Sequence, residues 1–135
     1  MRLSNKIKIL SFPLNKIFKG MTFYNKIYLR RDIYNNLLKQ DPSPENISIL
    51  IHEQTHLKRS GGKVGFIRGL KYWFNSRIRY TEEVAANREQ LKYLKKHGCN
   101  FDFEKRAKHL SGFRYLFCTS YNKALRDLRK IWEEI

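Results

Sequence analysis

The chain has 135 residues, 41% of them hydrophobic and 14% aromatic, which suits one folded domain with a modest core. Its 28 Lys and Arg against 12 Asp and Glu give a net charge of +16, which favours nucleic acid, an anionic surface or an acidic protein as partner, unless the charge only solvates the surface. The sequence has no membrane-length apolar run, no signal-peptide pattern and only two Cys, so we expect a cytoplasmic protein.

The N-terminal part of the chain predicts strands. Residues 6–12 alternate loosely between apolar and polar side chains, which predicts a strand. Residues 22–29 are rich in aromatic and β-branched side chains and predict a second one. Residues 32–39 are compatible with a short helix. We therefore expect a small β-sheet at the N-terminus.

A helix is predicted next, over about residues 44–58. Ser43 can cap its first turn, and Pro44 suits a first helical position. Ile47, Ile49 and Leu50 make this helix apolar on most sides, which predicts that it is buried. Polar side chains at its end are therefore costly unless something satisfies them.

Residues 52–56 read His-Glu-Gln-Thr-His, an H-E-x-x-H motif near the end of this helix. Positions i and i+4 share one helix face, so His52 and His56 can bind one Zn²⁺. Glu53 is poorly placed as a ligand, but its carboxylate can take a proton from a water on the metal, as in metal-assisted peptide hydrolysis. The alternative is an accidental match to a short motif.

A basic amphipathic segment with helical periodicity follows over residues 64–74, after the helix breaker Ser60-Gly61-Gly62. Helices of this composition that contain Trp and Phe can lie on a membrane surface. We favour a core position for its apolar side, because the segment links two parts of the chain that carry candidate ligands.

A catalytic zinc site normally has three protein ligands, and the best third candidate lies on a helix predicted over about residues 81–97, with Thr81 as its cap. Glu83 shares the inward face of this helix, whereas Glu82 points further out. First-turn acids are also common for their effect on the helix dipole, so a purely structural role stays open. Other possible ligands, for which helix-end or inert-thiol roles are favoured, are His97, His109, Cys99 and Cys118.

The two motifs together resemble those of the gluzincin zinc metallopeptidases, in particular their small, single-domain (minigluzincin-like) members. In that group the HExxH helix supplies two ligands and the general base, and a later helix supplies a Glu. Residues 83–87, Glu-Val-Ala-Ala-Asn, match the later motif, although Asn87 stands where an acid is usual. The resemblance implies that Asn87 hydrogen-bonds a ligating imidazole. Residues 20–30 resemble the strand that precedes the active-site helix in such proteins.

The predicted fold class is α+β, with one mostly helical domain over residues 1–135. Its small N-terminal sheet is expected within about residues 6–30. The helices over about residues 44–58 and 81–97 carry the candidate ligands, and further helices follow over about residues 102–132.

The resemblance implies a zinc-dependent peptidase that acts on peptide or protein substrates. In this reading His52, His56 and Glu83 bind Zn²⁺. Glu53 is the general base, and it later passes the proton to the leaving amine. The strand near residues 23–29 would offer its edge to an extended substrate. Candidates for a donor to the oxyanion, which such enzymes commonly have, are Tyr80, Tyr115 and Tyr121.

The main rival is a non-enzymatic basic module that binds nucleic acid or an anionic surface, with at most a structural zinc site. The net charge of +16 favours it. No helix-turn-helix, zinc-finger or RNA-binding signature in the sequence supports it.

Overall fold

The structure is a computed structural model, and it describes residues 1–60 and 72–135. Three short strands near the N-terminus are followed mostly by helices, so the predicted α+β class is confirmed. The strands form one sheet in the order β1-β3-β2, where β1 is Ile7–Ile9, β2 is Gly20–Phe23 and β3 is Lys26–Leu29. Strand β1 runs parallel to β3, and β2 runs antiparallel to it.

The single strand predicted over residues 22–29 is wrong, because a hairpin turn divides this stretch. Tyr24 and Asn25 both adopt positive φ angles, 45° and 59°, as in the two-residue turns that join antiparallel strands. Since β3 is paired on both sides, its edge is not free for a substrate. The free edge of the hairpin belongs to β2, so the predicted substrate edge shifts to Gly20–Phe23.

Two helices follow the sheet. Helix α1 spans Arg31–Leu37, and helix α2 spans Pro44–Arg59. The predicted start of α2 is confirmed, because Ser43 Oγ accepts a hydrogen bond from the backbone N–H of Asn46. Both helices pack against the sheet in a first core. Its buried residues are Ile7, Ile27, Leu29, Ile33, Leu37 and Leu50.

Helix α3 spans Ser76–Lys96 and begins earlier than predicted. Thr81 therefore lies inside the helix, and the cap is Asn75, whose side-chain oxygen accepts from the N–H groups of Arg77 and Ile78. As a consequence Glu83 lies well beyond the first turn, where the helix dipole no longer explains a carboxylate.

The last two helices match the prediction for residues 102–132. Helix α4 spans Phe103–Ser111 and is capped by Asp102, and helix α5 spans Tyr121–Glu134 and is capped by Ser120. They pack with α3 around a second core, where each fully buried Leu or Ile contributes about 1.5–3 kcal/mol. The buried residues of this core are Leu91, Ala107, Leu110, Ala124, Leu128 and Ile131.

The first part of the predicted 64–74 segment, through residue 71, lies outside the described residues. The end of this segment that the structure describes begins at residue 72. There the expected core position is wrong, because Trp73 is 44% exposed and Phe74 is 85% exposed. Within the described helices, none has both the length and the hydropathy needed to cross a bilayer. Cys99 and Cys118 are free thiols.

Candidate metal centre

The three predicted ligands converge where α2 packs against α3. His52 and His56 lie one turn apart on α2, with their Nε2 atoms 3.2 Å apart. Glu83 on α3 is buried and reaches both rings: its Oε2 is 3.3 Å from His52 Nε2, and its Oε1 is 3.3 Å from His56 Nε2. The structure thus brings Glu83 next to His52 and His56, from which it is separated by 26 or more intervening residues.

The spacing of these donor atoms suits a tetrahedral metal ion. Ligands bonded at about 2.0–2.1 Å to a tetrahedral ion lie about 3.3–3.4 Å from one another. The observed separations of 3.2 and 3.3 Å match this closely. The group His52, His56 and Glu83 could therefore hold a metal ion.

His52 is oriented by a chain of hydrogen bonds that reaches across to α3. Its Nδ1 lies 3.1 Å from Gln90 Oε1, and Gln90 Nε2 donates to Ser48 Oγ at 3.1 Å. Ser48 in turn donates to the carbonyl of Glu45. Because an amide oxygen can only accept, Nδ1 carries the proton and Nε2 keeps its lone pair for a metal.

Asn87 is buried beside the cluster, but it has a different role from the one that the resemblance implies. Its Nδ2 donates to the carbonyl of Glu83 at 2.6 Å, and its Oδ1 accepts from Arg106 Nε at 2.8 Å. The hydrogen bond to a ligating imidazole is made by Gln90 instead. Asn87 therefore fixes Arg106 rather than a ligand ring.

Arg106 is a site residue that the sequence analysis missed. It lies on α4, and its Nη2 is 3.1 Å from Glu83 Oε2 and 3.4 Å from His52 Nε2. Its Nη1 donates to the hydroxyl of Tyr115 at 3.0 Å. The signal for it was its position on α4: Arg106 falls on the same face as Phe103 and Leu110, where an apolar side chain is expected.

Tyr72 was also missed, and it completes the surroundings of Glu83. Its hydroxyl donates to Glu83 Oε1 at 2.6 Å, while Arg106 donates to Oε2. Each carboxylate oxygen has two lone pairs, so each can accept one of these hydrogen bonds and still face the imidazoles. Burial, followed by the nearby charge of Glu83, raises the pKa of Tyr72, so its hydroxyl stays a donor.

The protonation states of Glu83, His56 and His52 depend on one another. Burial by itself would raise the pKa of Glu83, but the facing imidazoles of His56 and His52 hold it well below its usual range. Burial opposes a charge on His56 too, but the carboxylate of Glu83 outweighs it and raises the pKa of His56 to about 9. Burial lowers the pKa of His52. A metal ion that binds here must therefore displace a proton.

Glu53 is buried next to the cluster and is held by strand β2. Thr22 Oγ1 lies 2.9 Å from Glu53 Oε2 and 3.0 Å from the carbonyl oxygen of Glu53, so its single hydroxyl proton is shared between the two acceptors. Gly20 leaves room for this carboxylate, because a Cβ at that position would stand 3.1 Å from Glu53 Cγ and 3.2 Å from its Oε1. The hairpin thus positions the predicted general base.

Four of the other candidate ligands are engaged with groups outside the cluster, whereas the fifth, His109, lines the cavity beside it. Glu82 pairs with Arg59 at 3.0 Å, and His97 stacks on Tyr93 at the end of α3. Cys118 donates to the carbonyl of Leu110, and Cys99 lies near the carbonyl of His97.

Of the three tyrosines considered as oxyanion donors, the structure places Tyr115 at the site. Burial raises its pKa, which keeps its hydroxyl protonated, although the charge of Arg106 opposes this shift. Tyr80 donates to Asp127 at 2.6 Å, and Tyr121 packs against the second core.

A cavity of about 310 Å³ opens beside the cluster. His52 and Glu53 form one side of it, Gly20 borders it from β2, and Arg106 and Tyr115 face it from the C-terminal part of the chain. A small peptide segment is of a size to enter such a space.

The buried Arg79 links two backbone segments that are distant in sequence, one at Tyr72 and one at Tyr115. Arg79, on α3, is 4% exposed. Its guanidinium donates to the carbonyls of Tyr72 and Trp73 on one side, and to those of Tyr115 and Leu116 on the other, at 2.7 to 3.3 Å. These contacts fix both tyrosines relative to α3.

A comparison of the chain with protein-family models, curated proteins and solved structures finds no match.

Proposed function

We propose that the chain is a zinc-dependent peptidase of the gluzincin type. One observation carries the proposal: His52, His56 and Glu83 present their donor atoms 3.2 to 3.3 Å apart, next to the buried carboxylate of Glu53. Two imidazoles and one carboxylate are a common protein ligand set of catalytic zinc, and they leave a fourth position open.

Zinc supplies two things when it is bound in such a site: it lowers the pKa of a coordinated water to about 7, and it polarises the carbonyl of a substrate. The protein supplies the base. Glu53 accepts a proton from the attacking water and then donates it to the leaving amine. Thr22 keeps one carboxylate oxygen of Glu53 in a hydrogen bond, which fixes the direction of the other.

Negative charge that develops on the substrate carbonyl needs donors that are already in place. Arg106 and Tyr115 are the donors that we assign to this role, because both line the cavity. The Nη1 of Arg106 also donates a hydrogen bond to the hydroxyl of Tyr115 at 3.0 Å. Arg106 is fixed by Asn87 and Glu83, so little reorganisation is required when the charge appears.

The substrate is proposed to bind as an extended peptide along β2. This strand is at the edge of the sheet, and its first residue, Gly20, borders the cavity next to Glu53. Main-chain hydrogen bonds to an edge strand are a general way to hold an extended peptide.

The test pairs metal analysis with peptide cleavage. We expect about one zinc per chain in the purified protein, and cleavage within a mixed peptide library read by mass spectrometry. Glu53→Gln should keep the zinc and lose turnover by about 10²–10⁴-fold. Glu82→Gln is the matched control, since Glu82 is paired with Arg59 and is not one of the three clustered groups, and it should keep both. A zinc-loaded protein that cleaves no peptide in the library, or a fully active Glu53→Gln variant, rules the proposal out.

A further inference from the structure

One wall of the cavity is formed by cationic side chains, and we call it the basic wall. Its members come from three separate parts of the chain: the residue before β2, helix α4, and the short 3-10 helix Phe113–Tyr115. Lys105 and His109 lie one turn apart on α4, so they face the same side. The side chains of the basic wall are Lys19, Lys105, Arg106, His109 and Arg114.

The basic wall has few negative partners. Within residues 1–60 and 72–135, Arg106 has a carboxylate within 4.0 Å, that of Glu83, whereas Lys19, Lys105 and Arg114 have none. Arg114 instead donates to the ring of His109 at 2.9 Å.

Among the described residues, the carboxylates that line the same cavity form no ion pair within 4.0 Å with this wall. Asp102 accepts the backbone N–H of Lys105 as the cap of α4. Glu53 is bonded to Thr22, and Glu45 lies in the first turn of α2. The cavity therefore combines a concave shape with an excess of positive charge on one side.

The ionisation of two wall residues agrees with this picture. Burial, and then the charges of Arg114, Arg106, Lys105 and Lys19, lower the pKa of His109 to about 4. Burial, and then the charge of Lys105, lower the pKa of Lys19. Both groups resist a further positive charge, as expected where a negative ligand is missing.

We propose that the basic wall is an anion subsite that binds a carboxylate of the substrate, so that the peptidase selects peptides with an acidic group next to the scissile bond. This substrate class rests on the proposed function, because the subsite shares its cavity with His52 and Glu53. Arg114 offers a planar guanidinium for a carboxylate, because among the described residues only its Nη1 is engaged, with His109. Lys105 and Lys19 add charge from more exposed positions.

The substrate carboxylate has two sources, an Asp or Glu side chain and a free C-terminus. Matched peptides separate them: one with an internal Glu and an amidated C-terminus, its Glu→Gln counterpart, and the Gln peptide with a free C-terminal carboxylate. An advantage of the first peptide assigns the subsite to side chains. An advantage of the third assigns it to the C-terminus.

Binding is measured first in the zinc-loaded Glu53→Gln variant, because it requires no turnover and so separates this inference from the proposed function. We expect an acidic peptide to bind about 10- to 100-fold more tightly than its neutral counterpart, as charge-assisted hydrogen bonds allow. Arg114→Gln and Lys105→Gln, each made in the Glu53→Gln background, should reduce that preference several-fold. The preference in kcat/KM of the otherwise unmodified protein should follow the same order.

Lys108→Gln is the matched control. Lys108 lies on α4 and carries the same charge, but it is exposed and does not line the cavity. It should leave the preference for the acidic peptide unchanged. Thermal melts confirm that each variant is folded. Equal affinity for acidic and neutral peptides, or an equal loss of preference in Lys108→Gln, overturns the subsite, since the charge would then act only as a general field.

Discussion

Within the described part of the chain, charges are balanced by ion pairs and hydrogen bonds on the metal side of the cavity, around His52, His56 and Glu83, but largely unpaired on the basic wall. On the metal side, the buried carboxylate of Glu83 faces two imidazoles and accepts hydrogen bonds from Tyr72 and Arg106. On the basic wall, Lys105 and Arg114 have no carboxylate within 4.0 Å among the described residues. A buried charge is tolerated when it is compensated, as that of Glu83 is. On the basic wall, we propose that the substrate supplies the negative charge.

The largest effect, on both zinc content and the free energy of unfolding, is expected from removing the negative charge of Glu83. Glu83→Gln should lose zinc, and it leaves the half-buried guanidinium of Arg106 without its carboxylate, at a cost of up to about 3–5 kcal/mol in the free energy of unfolding. Metal analysis and urea unfolding check both effects. Glu82→Gln serves as the control, with an expected change below about 1 kcal/mol, because its ion pair with Arg59 is partly exposed. If the two variants were equally stable, the balance of charge around Glu83 would not matter to the fold.

Arg106 belongs to both sides of the comparison, so its replacement should affect the reaction. Arg106→Gln is expected to keep zinc, since all three ligands remain, and to lower kcat by about 10²–10³-fold through the loss of a preorganised donor. Steady-state kinetics on any cleaved peptide, with the zinc content measured in parallel, provide the check. A normal kcat with a raised KM would place Arg106 in substrate binding alone.

A smaller effect is expected from releasing the ring of His52. Gln90→Ala removes the acceptor of His52 Nδ1 and should weaken zinc affinity by about 10–100-fold. Competition with a chromophoric chelator measures the affinity. Gln54→Ala, an exposed position on α2, is the control and should be neutral. Equal affinities of the two variants would mean that packing alone orients the imidazole.

The smallest effect concerns the basic wall in the absence of a ligand. The pKa of His109 is about 4 in the folded chain, against an ordinary value of 6.5. The unfolded chain therefore takes up a proton first, so this group lowers stability as pH falls from about 6.5 to about 4. His109→Gln should therefore reduce the change in the free energy of unfolding between these two pH values, as measured by urea titrations at each pH. An unchanged slope between these pH values would mean that neither burial nor the charges of the wall disfavour a proton on this ring.

The sequence was informative where the required residues are close together along the chain. The cap Ser43, the imidazoles of His52 and His56 and the carboxylate of Glu53, the proposed general base, all fall within residues 43–56. Local spacing was therefore enough to select them as candidates. Glu83 could be predicted from helical periodicity, which indicates a face without the neighbouring helix being known. The α+β class followed from the order of strand-like and helix-like segments.

The remaining features depend on contacts that no local pattern contains. The hairpin turn at Tyr24 and Asn25 has no Gly to mark it. The start of α3 was placed too late because Arg77 and Arg79 interrupt the apolar pattern, and Arg79 is buried only because it has carbonyl partners from distant segments. Arg106 reaches Glu83 through the packing of α4, which the sequence does not reveal.

The contacts of Arg79 determine how much of the C-terminal part of the chain can be removed. A shortened chain that stops before α4 would retain the H-E-x-x-H helix and Glu83, and so would look sufficient by its motifs. It would nevertheless lack Arg106 and the carbonyls of Tyr115 and Leu116, leaving the guanidinium of Arg79 without two of its acceptors. The two C-terminal helices are therefore part of the site: a transfer of this candidate metal centre to another scaffold requires the hairpin, helices α2 and α3 and this pair together.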